Sequence, residues 1–258
     1  MREGFVALLD VLGFSALVRD AGEAGIQRYL GCLQRATQPT NVNYVVFSDS
    51  IVLSAKGDTP ESFMAVAGAC SQLFSDLLSQ DIALRGAIAF GGFVREAFAE
   101  SVFVAGRAVI DAYQFEQAQD WVGIMIAPSA LSRVQDLRVR CHLEDNTHTT
   151  AEGLKNLTPR LRWAAFIQHC ASIPFHASTP FDSPSFDGFA VVPTSGQPEP
   201  AALRDSTQQA IERLKWLRAI APSLASQRKY QQTLNWLNQI NYLWQRVAWS
   251  QEQAVAHP

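Results

Sequence analysis

Apolar positions along this chain alternate between unbroken runs and helical spacing. Phe5-Val6-Ala7-Leu8-Leu9-Asp10 is an apolar run ending in an acid, which predicts a buried strand over 5–10. Val11–Ser15 then reads as a turn into a helix. Ile26, Tyr29, Leu30 and Leu33 fall at i, i+3, i+4 and i+7 and predict a helix over 22–37, closed by Pro39. Residues 43–55 are rich in β-branched residues and predict two strands joined by a tight Ser-Asp turn. Thr59-Pro60-Glu61 opens a helix whose apolar stripe is Phe63, Val66, Ala67, Cys70, Leu73, Phe74 and Leu77. A strand at 82–91, a short one near 101–104, a helix at 106–118, a strand at 122–127 and a helix from Pro128 follow. The order β-α-β-β-α-β with an α-β addition predicts an α+β fold of ferredoxin-like or palm type, with helices on one face of the sheet.

The rest of the chain has a different texture. Residues 172–200 are rich in Pro, Ser and Gly and predict loop with one short strand, Phe189–Val192. Residues 202–250 are helical in pattern and hold four of the six Trp. Tyr230, Leu237, Ile240, Trp244 and Val247 approach 3-4 spacing, which suits a helix docked on the domain or a dimerisation element. The expected division is a domain over 1–200 and a helical C-terminal extension over 201–258.

Composition narrows the class. The 258 residues are 48% hydrophobic and 17% charged, which excludes wholesale disorder. A net charge of −3 provides no sequence-wide basic field for nucleic acid or anionic lipid. No apolar stretch reaches the roughly 18 residues of a membrane span. The short apolar run near the N-terminus ends in an acid and makes a poor signal peptide. Cys32, Cys70, Cys141 and Cys170 are scattered without a Cys-x-x-Cys pair, as expected of buried or idle thiols in a reducing cytoplasm. The basic residues are four Lys and seventeen Arg, and Arg suits bidentate phosphate contacts.

Candidate chemistry gathers around two acids. Asp10 ends the first predicted strand, and Asp49 lies in the tight turn of the hairpin that a β-α-β-β unit sets beside it. Two carboxylates at one sheet edge suit a hard cation such as Mg²⁺ or Mn²⁺. The turn over Val11–Ser15 aims the free backbone N–H groups of a helix start at the same place, which is an anion site. Metal and helix N-terminus together point to phosphate, foremost a nucleoside triphosphate. Elsewhere, His142 and His148 flank Glu144 and Asp145 at a spacing that suits no standard metal motif and read as surface loop. His169-Cys170 lacks the setting of a nucleophile.

Four segments carry a resemblance. Leu9-Asp10-Val11-Leu12-Gly13-Phe14-Ser15 is similar to the Asp-Ile-x-Gly-Phe-Ser/Thr segment of class III nucleotidyl cyclases. Phe47-Ser48-Asp49-Ser50 stands where that family has its hairpin Gly-Asp. Leu84-Arg85-Gly86-Ala87-Ile88-Ala89-Phe90-Gly91 resembles its Arg-x-Gly-Ile strand, and Gly106–Glu116 resembles its Gly-x-x-Val-Asn-x-Ala-x-Arg-Leu-Glu helix. The segments occur in family order within residues 5–130. The wording most resembles the pyrimidine cyclases of bacterial Pycsar antiphage systems.

That resemblance implies a homodimeric uridylate or cytidylate cyclase, UTP before CTP, whose cyclic product activates a separate effector. It implies two divalent cations (Mn²⁺ or Mg²⁺) held by Asp10 and Asp49, with the Val11 carbonyl as a further ligand. Backbone N–H groups of Gly13, Phe14 and Ser15 would hold the β- and γ-phosphates, and Tyr44 would border the base. Ile110 stands at the family's transition-state Asn and Gln114 at its Arg, so Arg107 is the candidate replacement cation; Arg85 is expected to brace the sheet or dimer. Tyr44-Val45-Val46 stands where a purine-selecting Lys or Glu is expected. The alternatives are a purine cyclase and a non-catalytic cyclase-like domain that binds nucleotide or a partner.

Overall fold

The computed structural model describes residues 1–40, 42–99, 101–134, 167–179, 181, 183–194 and 200–256. Strand β1 (Arg2–Leu12) lies at the heart of one sheet, between β3 (Ser50–Lys56) and β4 (Ala83–Phe98), antiparallel to both. With β2 (Asn43–Phe47), β5 (Ser101–Gly106), β6 (Ile124–Ile126), β7 (Ile167–Pro174) and β8 (Ser185–Val191), the sheet order is β2-β3-β1-β4-β6-β8-β7, and β5 pairs with β4. The first four strands alternate with helices α1 (Phe14–Thr37) and α2 (Pro60–Leu78), which is the ferredoxin-like order the sequence predicts.

Alternation along β1 divides its side chains between two layers. Phe5, Ala7, Leu9 and Val11 enter the main core with Tyr29, Cys32 and Leu33 of α1 and Phe63, Leu73 and Phe74 of α2. Burying each large side chain there contributes about 1.5–3 kcal/mol. Val6 and Leu8 turn the other way, onto α3 (Arg107–Ala118), where Ala108 and Ala112 leave room for close approach. Helices therefore cover both faces of the sheet, not one, because β1 is apolar on both sides.

Helix α1 begins at Phe14, eight residues before the expected start at 22. Gly22 holds a left-handed φ of 53° inside it and kinks it, so the regular spacing marks only its second half. Helix α2 begins as its sequence requires: the Thr59 hydroxyl accepts from the Ser62 N–H at 3.3 Å, and Pro60 occupies the first turn. Strand β4 runs on to Phe98, past the predicted 91, since residues 94–98 have β5 as a partner. The stretch expected to be mostly loop contributes to β7 and carries β8, which begins at Ser185. After α4 (Pro128–Arg133), the residues 135–166, with His142, Glu144, Asp145, His148 and Cys141, lie outside those described.

Helices α5 (Pro200–Ile220) and α6 (Leu224–Ala256) share the main core. Leu237, Ile240 and Trp244 of the 3-4 stripe are buried in it. Trp236 packs on Trp121 with ring centroids 5.3 Å apart. The buried Thr233 hydroxyl accepts from the Val122 N–H at 3.1 Å and donates to the Val122 carbonyl at 2.6 Å. Docking on the domain is seen for these three positions of the stripe, and the side chain of Val247 lies outside those described. Cys32, Cys70 and Cys170 are free and buried; burial pushes the Cys70 thiol far up and the Cys170 thiol up to about 11. No helix among the described residues is long and apolar enough to cross a membrane.

Candidate active site

The site begins with the β1–β3 ladder. Asp10 stands opposite Ser50, and the Val11 N–H donates to the Asp49 carbonyl at 2.9 Å. That bond fixes the hairpin turn against the end of β1, so both acids sit at one edge of the sheet. Ser48, the first turn residue, has a φ of 58° in the region that favours glycine, so the turn carrying Asp49 is held under local strain.

Asp10 is on the α3 face and is not alone there. Arg85, directly across β4, donates to the Asp10 carboxylate at 3.4 Å and to Glu116 Oε1 of α3 at 2.7 Å. Glu116 is 1% exposed and also accepts from Gln117 at 2.7 Å. The Gln119 amide behind them donates to the carbonyls of Gly86 and Phe115, and its oxygen accepts from Trp121 Nε1 at 2.7 Å. Arg85 thus braces the site, in the role expected for the sheet. Burial pushes the Asp10 carboxyl above its ordinary range, the Arg85 cation opposes this, and Asp49 pushes further upward. Burial raises Glu116 likewise, again against Arg85. Two acids crowded together with one shared cation leave negative charge that a further cation would relieve.

Phosphate chemistry would start where β1 ends. Gly13 caps α1 with a φ of 81°, and a Cβ added to it would meet nothing within 4 Å. No side chain caps this helix, and its first turn holds no acid. The N–H groups of Phe14 and Ser15 are therefore among the free donors of a helix start. Phe14 packs edge-on against Tyr29, which is 1% exposed and whose hydroxyl has no partner among the described residues. Burial, helped by the Asp49 charge, holds that phenol well above its ordinary range.

Two expected residues lie apart from this cluster. Tyr44 pairs with Leu53, a residue of the α1–α2 core, so it is on the sheet face opposite Asp10. Its hairpin neighbour Phe47 pairs with Ser50, hence shares the face of Asp10, and is 82% exposed. Arg107 starts α3 after Gly106, whose φ of 144° and contact with the Gly92 carbonyl exclude a side chain there. It is nine residues, about 13 Å of helix, from the Glu116 end that meets Arg85. Its outward face also carries Ile110, Tyr113 and Gln114, and Ile110 is 56% exposed.

Residues the sequence reading missed surround the same edge. Asp120, following α3, accepts from Arg228 of α6 at 2.7 Å and pairs with Lys229 and with His176, each at 3.5 Å. Burial lowers His176, with Asp120 opposing. Glu116 was visible only as the last letter of the α3 motif; Arg228 and Lys229 lie far down the chain with no local signal.

The donors available to a metal are oxygens: Asp10, Asp49 and the Val11 carbonyl. Among the described residues no group of three or more His, Cys, Asp and Glu side chains gathers as a metal site. A two-carboxylate set fits Mg²⁺ or Mn²⁺, which keep waters and take further ligands from substrate phosphates.

Among solved structures, the chain is similar to the adenylyl cyclase CyaB from P. aeruginosa, at 13% identity over 76% of this chain and 96% of that one, with a TM-score of 0.47. It is similar to a class III adenylyl cyclase-like ATP-binding protein from Pseudomonas aeruginosa, at 17% identity, 53% and 36% coverage and a TM-score of 0.40. It is also similar to the monomeric guanylyl cyclase domain of the RhoGC fusion protein from the aquatic fungus Blastocladiella emersonii, at 14% identity, 52% and 86% coverage and a TM-score of 0.39. No protein-family model and no curated protein matches the chain.

Proposed function

We propose that this protein is a nucleotidyl cyclase that converts a pyrimidine nucleoside triphosphate, UTP before CTP, into its 3′,5′-cyclic monophosphate and pyrophosphate. The observation that carries the reading is the meeting of Asp10 and Asp49 beside the uncapped N-terminus of α1. A divalent cation bound there would supply charge neutralisation and activation of the 3′-oxygen. Asp10 and Asp49, with the Val11 carbonyl, would hold two such ions. Gly13, Phe14 and Ser15 would bind the β- and γ-phosphates through their N–H groups. In the reaction the 3′-oxygen bonds to the α-phosphorus, the bond from that phosphorus to the β-bridging oxygen breaks, and the hydroxyl proton passes to solvent. Arg85, held by Glu116, would orient the Asp10 carboxylate throughout.

The charge that develops on the α-phosphate needs a cation that this chain's own site does not receive from Arg107, which is at the far end of α3. A second copy would bring it. The exposed Phe47, Ile110 and Tyr113, with Phe98 and Phe103 on the β4–β5 arm, are large apolar groups that such a copy would cover. A C2 pair then forms two equivalent sites, each with acids from one chain and Arg107 from the other. Pyrimidine selection is supported by the wording of the motifs and by Tyr44-Val45-Val46 in place of a purine-selecting Lys or Glu. Phe47, on the face of Asp10, is better placed than Tyr44 to meet a base. Release of the cyclic product to a separate antiphage effector belongs to the same proposal.

The test is incubation of the purified protein with each of the four triphosphates and Mn²⁺, with the products separated by chromatography. Cyclic UMP or CMP as the main product is expected. Product from ATP or GTP alone would reverse the specificity, and nucleotide binding without any product would leave a binding domain.

A further inference from the structure

A cavity of about 720 Å³ lies between the first half of α1 and the turn that joins α5 to α6. Its wall includes Leu12 and Gly13, where the candidate phosphate site begins, and Ser226 and Lys229 of α6. Two acids also line it. Asp81 is paired with Arg213 at 3.4 Å, and Asp20 lies seven residues, about 10 Å of helix, beyond Gly13. The Gly13 end is thus free of acid from α1, and among the described residues lining the cavity the cation is Lys229.

The surroundings hold that cation by one long ion pair. Asp120 already takes Arg228 at 2.7 Å, whereas Lys229 stands 3.5 Å from it and its side chain keeps 25% of its exposure. Arg228 and Lys229 together outnumber the Asp120 carboxylate, and His176 stands 3.5 Å from it. The Lys229 charge also reaches the Asp10 carboxyl, which it favours in the ionised form.

We propose that Lys229 binds the terminal phosphates of the nucleotide from within the same chain, across the cavity from Gly13, so that the C-terminal helices form part of the substrate site. This rests on the nucleotide reading above. A lysine is suited to the role as a compact point charge with rotatable donors on a flexible stem.

Binding of α,β-methylene-UTP and of UMP to the full chain, measured by calorimetry with Mg²⁺, tests it. Lys229→Gln should weaken the triphosphate analogue at least tenfold and leave UMP within about twofold, and Lys229→Arg should restore most of the loss. Acetylation of the wild-type protein provides a measurement that needs no variant. Saturating analogue should protect Lys229 several-fold relative to the exposed Lys56. Equal acetylation with and without analogue, unchanged analogue affinity in Lys229→Gln, or equal losses for analogue and UMP would overturn the assignment. A wild-type protein that binds neither ligand would instead remove the nucleotide reading itself.

Discussion

The two faces of β1 are built from neighbouring residues and do opposite work. Toward α1 and α2, Phe5, Ala7, Leu9 and Val11 join large, fully buried partners such as Phe63 and Phe74. Toward α3, Val6 and Leu8 meet alanines, and the row ends in Asp10, Arg85 and Glu116. One face gains its stability from area and shape. The other gives up area to hold three charges in a fixed order, which is costly unless each has a partner. The contrast between Leu9 and Asp10, adjacent in the chain, shows how a strand separates apolar packing from charge by alternation alone.

The sharpest way to break this comparison is at those two positions. Asp10→Ala or Asp49→Ala should reduce cyclic nucleotide formation below about one thousandth of wild type, because each removes a proposed cation ligand. Tm should shift by only a few degrees. Leu9→Ala should do the reverse, costing about 2–5 kcal/mol in denaturant unfolding. Activity that survives either Asp change would detach the chemistry from this face.

Next in size is the effect of sharing. Arg107→Ala should lower activity about a hundredfold. Mixing it in equal amounts with Asp49→Ala should recover up to about a quarter of wild-type activity, because half the dimers are mixed and each has one intact site. A mixture no more active than its parts would overturn the sharing of the site between two chains.

Glu116 joins the two properties. Glu116→Ala leaves Arg85 without its closest partner and should cost about 3–5 kcal/mol. It should also raise the metal concentration needed for half-maximal activity, since Arg85 is then held by Asp10 and the Gln119 carbonyl alone among its present partners. Loss of stability with an unchanged metal requirement would make Glu116 purely structural. Of the two hairpin aromatics, Phe47→Ala should raise KM several-fold, and Tyr44→Phe should leave it unchanged; the opposite result would move the base to the other face. The smallest effect is expected at Ser48. Ser48→Gly relieves its positive φ, offset by the greater freedom of glycine when unfolded, for a net gain of about 0.5 kcal/mol.

Local pattern was enough for the first half of the molecule. Unbroken apolar runs, β-branched pairs around a two-residue turn and a Thr-Pro-Glu helix start are signals that neighbours in sequence supply, and they specify the βαββαβ order. The same locality made Asp10, Asp49 and Gly13 legible as candidates, since strand ends and tight turns bring such residues to one edge. Other features required distant parts of the chain to meet. Tyr44 and Phe47 differ by an odd number of positions, so register against β3 decided which of them faces Asp10. Helix α1 outran its apolar spacing because Gly22 breaks the phase. Glu116 became the partner of Arg85, and Lys229 came to line the cavity beside Gly13, only through packing across 31 residues in the first case and over two hundred in the second. Charge pairing of that kind has no period and leaves no trace in a sequence window, because its energy exists only once the core has excluded water around it.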